Sequence, residues 1–114
     1  MLVVCLNAYG QKQISHIETT GAWYYVYDTN GKRIKTLSRN GMGELKGWGT
    51  TFFIVKRSGF YLICDPEGKT IKTLGAQSVG EILSASGETF TSRLGNWIYT
   101  WDKNGKRINT RYAH

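Results

Sequence analysis

The sequence predicts an all-β fold built from three copies of one four-stranded antiparallel unit. Three observations predict it: a nine-residue motif recurs every 37 residues, short β-branched and aromatic runs alternate with glycine and asparagine, and no stretch keeps a helical period. The motif copies are 28–36 (DTNGKRIKT), 65–73 (DPEGKTIKT) and 102–110 (DKNGKRINT). The first and third agree at seven of nine positions, and both spacings are free of gaps. A repeated structural unit is therefore expected.

Each 37-residue unit is expected to hold four short strands joined as a meander. In the clearest unit the strands cover 79–86, 88–94, 97–102 and 106–110, with glycine or asparagine at the turns between them. These runs are rich in the β-branched and aromatic residues that strands prefer. Helix is expected to be nearly absent.

The tight turn before the fourth strand is the most diagnostic local feature. It begins with Asp28, Asp65 or Asp102 and has glycine at its fourth position, the order of a type I turn that closes with a glycine bulge. Pro66, the only proline, falls at the second turn position, where its fixed φ fits. The aspartates are therefore assigned to turns rather than to calcium, because the other acidic ligands of a calcium loop are missing.

The predicted repeats do not begin at the first residue of the sequence or end at the last. Whole repeats are expected at about 23–59 and 60–96, and the remaining repeat is expected to be split between 1–22 and 97–114. The prediction is a single all-β repeat domain over 1–114. Its N-terminal strands are expected to pair beside the C-terminal ones, because such closure removes exposed sheet edges.

Three such units fit a β-prism, a β-trefoil or three propeller blades. Residues 95–108 (GNWIYTWDKNGKRI) resemble the third and fourth strands of a WD-type propeller blade, and residues 43–74 are similar in strand order to bulb-lectin β-prisms. The mannose-binding pattern of those lectins is absent from residues 56–64, so their sugar site is not carried over. Both faces of the third strand are largely apolar, as in a sheet packed on both sides. The preferred architecture has pseudo-threefold symmetry, β-prism-like or propeller-blade-like. A β-trefoil and a half-propeller completed by a homodimer are the alternatives.

Charge and composition limit the function classes. Fifteen lysines and arginines against eight acidic residues give a net charge of +7, which favours anionic partners but also serves solubility. The sequence has neither a long apolar span nor a basic leader, so a cytoplasmic protein that does not enter membranes is expected. Cys5 and Cys64 form no metal motif, and a single bridge between them stays open. His16 and His114 lie too far apart in sequence to indicate a catalytic or metal site. We expect a protein that is not an enzyme and that uses no metal or cofactor.

The candidate site residues are cations that recur in the repeats. The anion-binding candidates are Lys32, Arg33, Lys35, Lys69, Lys72, Lys106 and Arg107. A threefold arrangement would turn them into a ring or three stripes of positive charge that hold phosphate groups. The alternative explanation is that lysine on a last strand prevents aggregation between sheet edges. Trp48 breaks the repeat pattern and is the candidate aromatic contact.

The leading functional hypothesis is a non-catalytic binding module for an acidic partner, either nucleic acid or an acidic protein surface. Its affinity should fall steeply with salt. One alternative is a carbohydrate-binding module that uses exposed aromatic side chains, for which salt should matter little. The other is a structural homo-oligomer whose apolar strand faces serve self-assembly.

Overall fold

The computed structural model describes residues 12–113, which form three antiparallel sheets stacked in chain order. The first sheet contains β1 (Ile14–Thr20), β2 (Trp23–Asp28) and β3 (Arg33–Ser38). The second contains β4 (Glu44–Trp48), β5 (Phe53–Arg57), β6 (Phe60–Cys64) and β7 (Thr70–Gly75). The third contains β8 (Glu81–Ser86), β9 (Thr89–Leu94), β10 (Trp97–Asp102) and β11 (Arg107–Tyr112). The all-β prediction is confirmed.

The three aspartate turns have the same hydrogen bonds. The Asp28 carboxylate accepts from the backbone N–H groups of Asn30 and Lys32, at 2.9 and 2.8 Å. Asp65 and Asp102 accept from the equivalent N–H groups. Each turn's glycine has a positive φ between 79° and 90°, and the strand pairing shifts register immediately beside the turn. These local bonds satisfy the turn backbone without help from distant residues, which is why the sequence predicts the turns well.

Two four-residue helices, α1 (Arg39–Met42) and α2 (Ala76–Val79), lie between the sheets and were not predicted. A strand was expected from residue 79, but the chain is helical to Val79 and β8 begins at Glu81. One turn of helix is too short to show a helical period in sequence. Within residues 12–113, neither helix is long and apolar enough to cross a membrane.

The glycine that ends each helix cannot be replaced without strain. Gly43 and Gly80 have φ values of 109° and 88°, and a Cβ at either position would collide with a backbone carbonyl, that of Lys56 or Arg93. A buried tyrosine fixes each position, and it lies on the last strand but one before the helix, β2 or β6. In the first sheet the Tyr24 hydroxyl donates to the Gly43 carbonyl at 2.6 Å, and Tyr61 does the same to Gly80 at 2.7 Å.

The core consists of two apolar layers, one on each side of the second sheet. Between the first and second sheets, Ile17 and Val26 pack with Phe53, Val55 and neighbouring side chains. Between the second and third sheets the buried residues are Phe52, Ile54, Tyr61, Ile63, Val79, Phe90 and Trp101. Alternate residues of a strand point to opposite faces, so the apolar residues of β5 and β6 serve both layers. The prediction that the third strand is apolar on both faces is met by the second sheet.

The sheets are divided differently from the predicted repeats. β10 and β11 continue the sheet of β8 and β9, and among the described residues β11 pairs with β10 alone while β1 pairs with β2 alone. The expected pairing of N-terminal with C-terminal strands is therefore not found among them, because short turns join each strand to its sequence neighbour. The sheets begin at Glu44 and Glu81, whereas predicted boundaries were at 60 and 97. Residues 1–11 lie outside the described part of the chain, and the split-repeat domain over 1–114 stays a prediction.

Candidate anion-binding site

The recurrent lysines and arginines lie along the outer strands of the three sheets. β3, β7 and β11 each form an edge of their sheet. Contacts between sheets place these edges on the same side of the molecule: a Cβ at Gly68 would lie 2.8 Å from Leu37 of β3, and one at Gly105 would lie 2.6 Å from Lys72 of β7. β3 therefore packs beside the turn that precedes β7, and β7 packs beside the turn that precedes β11. We call this side the cationic edge, and its members are Lys32, Arg33, Lys35, Lys69, Lys72, Lys106 and Arg107.

All seven side chains of the cationic edge are exposed. The backbone N–H groups of Lys32, Lys69 and Lys106 are held by the turn aspartates, so the starting point of each lysine side chain is fixed. Arg33 stacks over the Tyr25 ring at 4.2 Å, and Arg107 stacks over the Tyr99 ring at 4.6 Å. Such contacts hold a guanidinium group while leaving its other plane open.

Besides the three turn aspartates, an exposed glutamate lies within the cationic edge. Glu67, in the second aspartate turn, pairs with Lys12 at 3.1 Å. The hydrogen bond and the charge of Lys12 lower the pKa of Glu67, with smaller contributions from Lys69 and Lys35. This lowering indicates that cations of the first and second sheets act on the same exposed point.

Trp48 lies away from the cationic edge. It is on β4, the strand at the opposite side of its sheet from β7, and is half-buried against the core between the first and second sheets. Its remaining surface borders a pocket of about 400 Å³ shared with Lys46, Gly47, Ser84 and Ala85. The structure thus brings the seven predicted cations to one side but does not bring Trp48 to them.

The sequence analysis missed a second surface, on the outer face of the first sheet. Trp23, Tyr25 and Tyr27 lie in a row along β2, and Trp23 is 46% exposed. The His16 ring stacks on Tyr27, with centroids 4.8 Å apart and planes inclined by 18°. We call the surface formed by His16, Trp23, Tyr25, Tyr27 and Arg33 the aromatic face. The alternation of aromatic residues in β2 was visible in sequence, but its exposure was not.

Glu88, Thr51 and Lys103 form a polar cluster away from the two surfaces. The Glu88 carboxylate accepts from Thr51 at 2.6 Å and pairs with Lys103 at 2.9 Å. Burial raises the pKa of Glu88, but the hydrogen bonds from Thr51 and Lys103 outweigh burial, so the net shift is downward. This cluster joins the second sheet to the third.

Cysteine and metal chemistry find little support in the described residues. Cys64 is a free, fully buried thiol, and burial raises its pKa to about 11. Cys5 and His114 lie outside the described residues. Within residues 12–113, no three side chains of His, Cys, Asp or Glu come close enough together to hold a metal ion. The chain matches no protein-family model, and no curated protein and no solved structure is significantly similar to it.

Proposed function

We propose that the protein is a non-catalytic binding module that holds an acidic partner along the cationic edge. The observation that carries the proposal is the convergence of seven exposed lysines and arginines, from three outer strands, on one side of the molecule. Packed sheets are about 10 Å apart, so successive outer strands offer cations at intervals that an extended anionic polymer can follow. Because phosphate and carboxylate contacts release counterions, such binding depends on salt.

We also propose that the three sheets are arranged like successive propeller blades. Support comes from the order of their faces, since each sheet presents the same side to the sheet that follows it. Further support comes from the first strands of the second and third sheets, which approach each other: a Cβ at Gly47 would lie 3.4 Å from the Ala85 Cβ. In this arrangement the cationic edge is the outer rim.

The test is a salt titration of binding by fluorescence anisotropy. The probes are a labelled single-stranded oligothymidine and a labelled polyglutamate, each measured between 50 and 200 mM salt, a window over which phosphate-driven binding changes strongly. For the oligothymidine, three to seven contacts at about −0.7 each predict a log–log slope between about −2 and −5. An affinity for both probes that does not change with salt would overturn the proposal.

A variant series identifies the surface. Lys32→Gln, Lys69→Gln and Lys106→Gln together remove one cation from each outer edge, and should make the slope for oligothymidine shallower by about 2. The matched comparison is Lys106→Gln alone against Lys56→Gln, because Lys56 is an exposed lysine on β5, away from the cationic edge. Equal effects of these two single substitutions would show that the cationic edge is not the binding surface.

A further inference from the structure

The aromatic face is the first sheet's counterpart of a surface that is covered in the second and third sheets. In the second and third sheets the equivalent strand positions face the preceding sheet: Leu62 is 8% exposed, Cys64 0% and Trp101 8%, while Tyr99 is half-buried and packs against the core between the second and third sheets. In the first sheet the same positions are Tyr25 and Tyr27, and both are only half-buried. Among the described residues nothing packs over these two rings except side chains of their own sheet.

This face presents three flat groups in a row. They are the Trp23 indole, the Arg33 guanidinium stacked on Tyr25, and the His16 imidazole stacked on Tyr27. The underlying residues alternate along β2, so neighbouring groups are separated by about 6.6 Å, two residues of strand. Unstacked bases of a single strand bind to such arrays, because bases stack on aromatic rings and on guanidinium planes alike.

The composition of the face favours a polar, planar ligand over another copy of the sheet. His16 occupies the register position that Phe53 and Phe90 occupy in the two covered faces, and both phenylalanines are 1% exposed. Glu18 occupies the position of Val55, which is fully buried. Packing a second chain here as the internal sheets pack would bury Glu18 in an apolar layer, which is costly for a charge.

The charges at the two sides of the aromatic face indicate how a nucleic acid strand would be oriented on it. Arg33 belongs to both surfaces, since it stacks on Tyr25 and also lies at the start of β3 next to Lys32. Glu18 lies on β1, at the other side of β2 from β3, and accepts from the Tyr27 hydroxyl at 3.4 Å. The phosphates are therefore expected over β3, and the bases over β2.

We infer that the partner of this protein is single-stranded nucleic acid, with its bases stacked on the aromatic face and its phosphates on the first-sheet part of the cationic edge. The inference rests on the proposed function and narrows its acidic partner to one class. The cationic edge alone requires only that the ligand be negatively charged. The aromatic face requires in addition that the ligand carry planar bases.

The experiment compares a single-stranded oligothymidine with an abasic strand of the same length and charge. Anisotropy should show that oligothymidine binds roughly 5- to 160-fold more tightly, the range expected for stacking of one base. Equal affinities for the two strands would overturn the inference and leave the proposed function intact. If neither strand binds, the inference fails, and if polyglutamate does not bind either, the proposed function fails with it.

A matched pair of tryptophan variants locates the stacking. Trp23 and Trp97 hold the same repeat position and are 46% and 45% exposed, but only Trp23 is on the aromatic face. Trp23→Leu should remove the preference for oligothymidine over the abasic strand, whereas Trp97→Leu should keep it. Equal losses in the two variants would overturn the assignment.

Two further measurements test the other occupants of this face. Glu18→Gln should raise the affinity for oligothymidine a few-fold, because it removes a negative charge that repels the bound polyanion from the β1 side of the face. Weaker binding contradicts the proposed direction. Sedimentation of the unmodified protein should give a monomer. If the protein is instead a dimer, and the substitution Trp23→Leu dissociates it, a second copy covers the aromatic face. If the protein prefers a neutral oligosaccharide over oligothymidine, the face is a sugar site. Either result overturns the inference.

Discussion

The covered and uncovered faces of the stack differ at equivalent positions. Phe53 of the second sheet is buried under the first sheet, and its counterpart His16 lies exposed on the outer face of the first. Val55 and Glu18 form a second such pair. The difference teaches that the aspartate turn recurs with the same hydrogen bonds in all three sheets, while the residues at equivalent strand positions differ according to which faces are packed.

The other end of the stack follows the same rule. Ile54, Ile63 and Leu74 of the second sheet pack against the third sheet. Residues 37 positions later, on the outer face of the third sheet, are Thr91, Thr100 and Arg111. Stacked repeats commonly have polar outer faces at their ends, because those faces meet water. Of the two end faces in the described part of the chain, the aromatic face alone combines this polar substitution with a row of stacked planar groups.

The largest effect is expected where a covered face loses a ring. Phe53→Ala should lower the free energy of unfolding by about 3–5 kcal/mol, because it opens a cavity between two sheets. His16→Ala, at the same register position, should change it by less than about 0.5 kcal/mol, as is usual for an exposed site. Denaturant titration measures both values, and similar losses would show that the first sheet's outer face is covered after all.

A smaller effect is expected where the covered face of the third sheet holds a polar group. Ser92 is fully buried and accepts from the Trp101 indole N–H at 2.9 Å. Ser92→Ala should cost about 1–3 kcal/mol, since the indole donor is left without an acceptor inside the core. Glu18→Ala is the control at the same register position, and its effect should be within about 0.5 kcal/mol. A Ser92→Ala variant as stable as the parent would mean that water reaches Trp101.

The buried thiol of Cys64 gives a prediction that pH can test. The pKa of Cys64 is raised from its ordinary value of 9.0 to about 11, chiefly by burial. The folded protein keeps the thiol protonated more tightly than the unfolded chain, so this contribution to stability is lost as pH rises from 9 to 11. Unfolding free energies should fall more steeply over this window in the parent than in Cys64→Ala. At pH 8, iodoacetamide should label Cys64 only after denaturation, and rapid labelling of the folded protein would contradict its burial.

The smallest effect on stability is expected when the uncovered face of the first sheet is given the apolar residues of a covered face. This change should instead make the protein self-associate. His16→Phe with Glu18→Val restores the residues found at these positions in the second sheet. The resulting apolar patch should drive concentration-dependent self-association, while the unfolding free energy changes by less than about 1 kcal/mol. The control is Thr29→Phe with Asn104→Val, two exposed turn positions. Sedimentation that shows a monomer for both variants would contradict the view that polar substitutions limit the stack.

Several parts of the fold were predictable from sequence because they depend on local bonds. Asp28 and its two equivalents bind backbone N–H groups two and four residues ahead, so their turns are specified within a few residues. Apolar residues on both faces of the unit's third strand, which is β6 in the second sheet, predicted a sheet buried on both faces. The cationic residues were predicted as well, because lysine and arginine recur in the sequence at a constant spacing.

Other parts were decided only by the tertiary structure. β2 (WYYVYD) and β10 (WIYTWD) have aromatic residues at the same three alternate positions. Tyr27 is nevertheless half-exposed and Trp101 buried, because among the described residues a preceding sheet covers only the latter. The one-turn helices depend on a tyrosine hydroxyl 19 residues away from the glycine it binds. Strand and turn formation follow from neighbours along the chain, whereas burial depends on which sheet stacks next. The sequence by itself therefore determined the repeated unit and its cations, and the order of stacking determined which aromatic residues are free to meet a ligand.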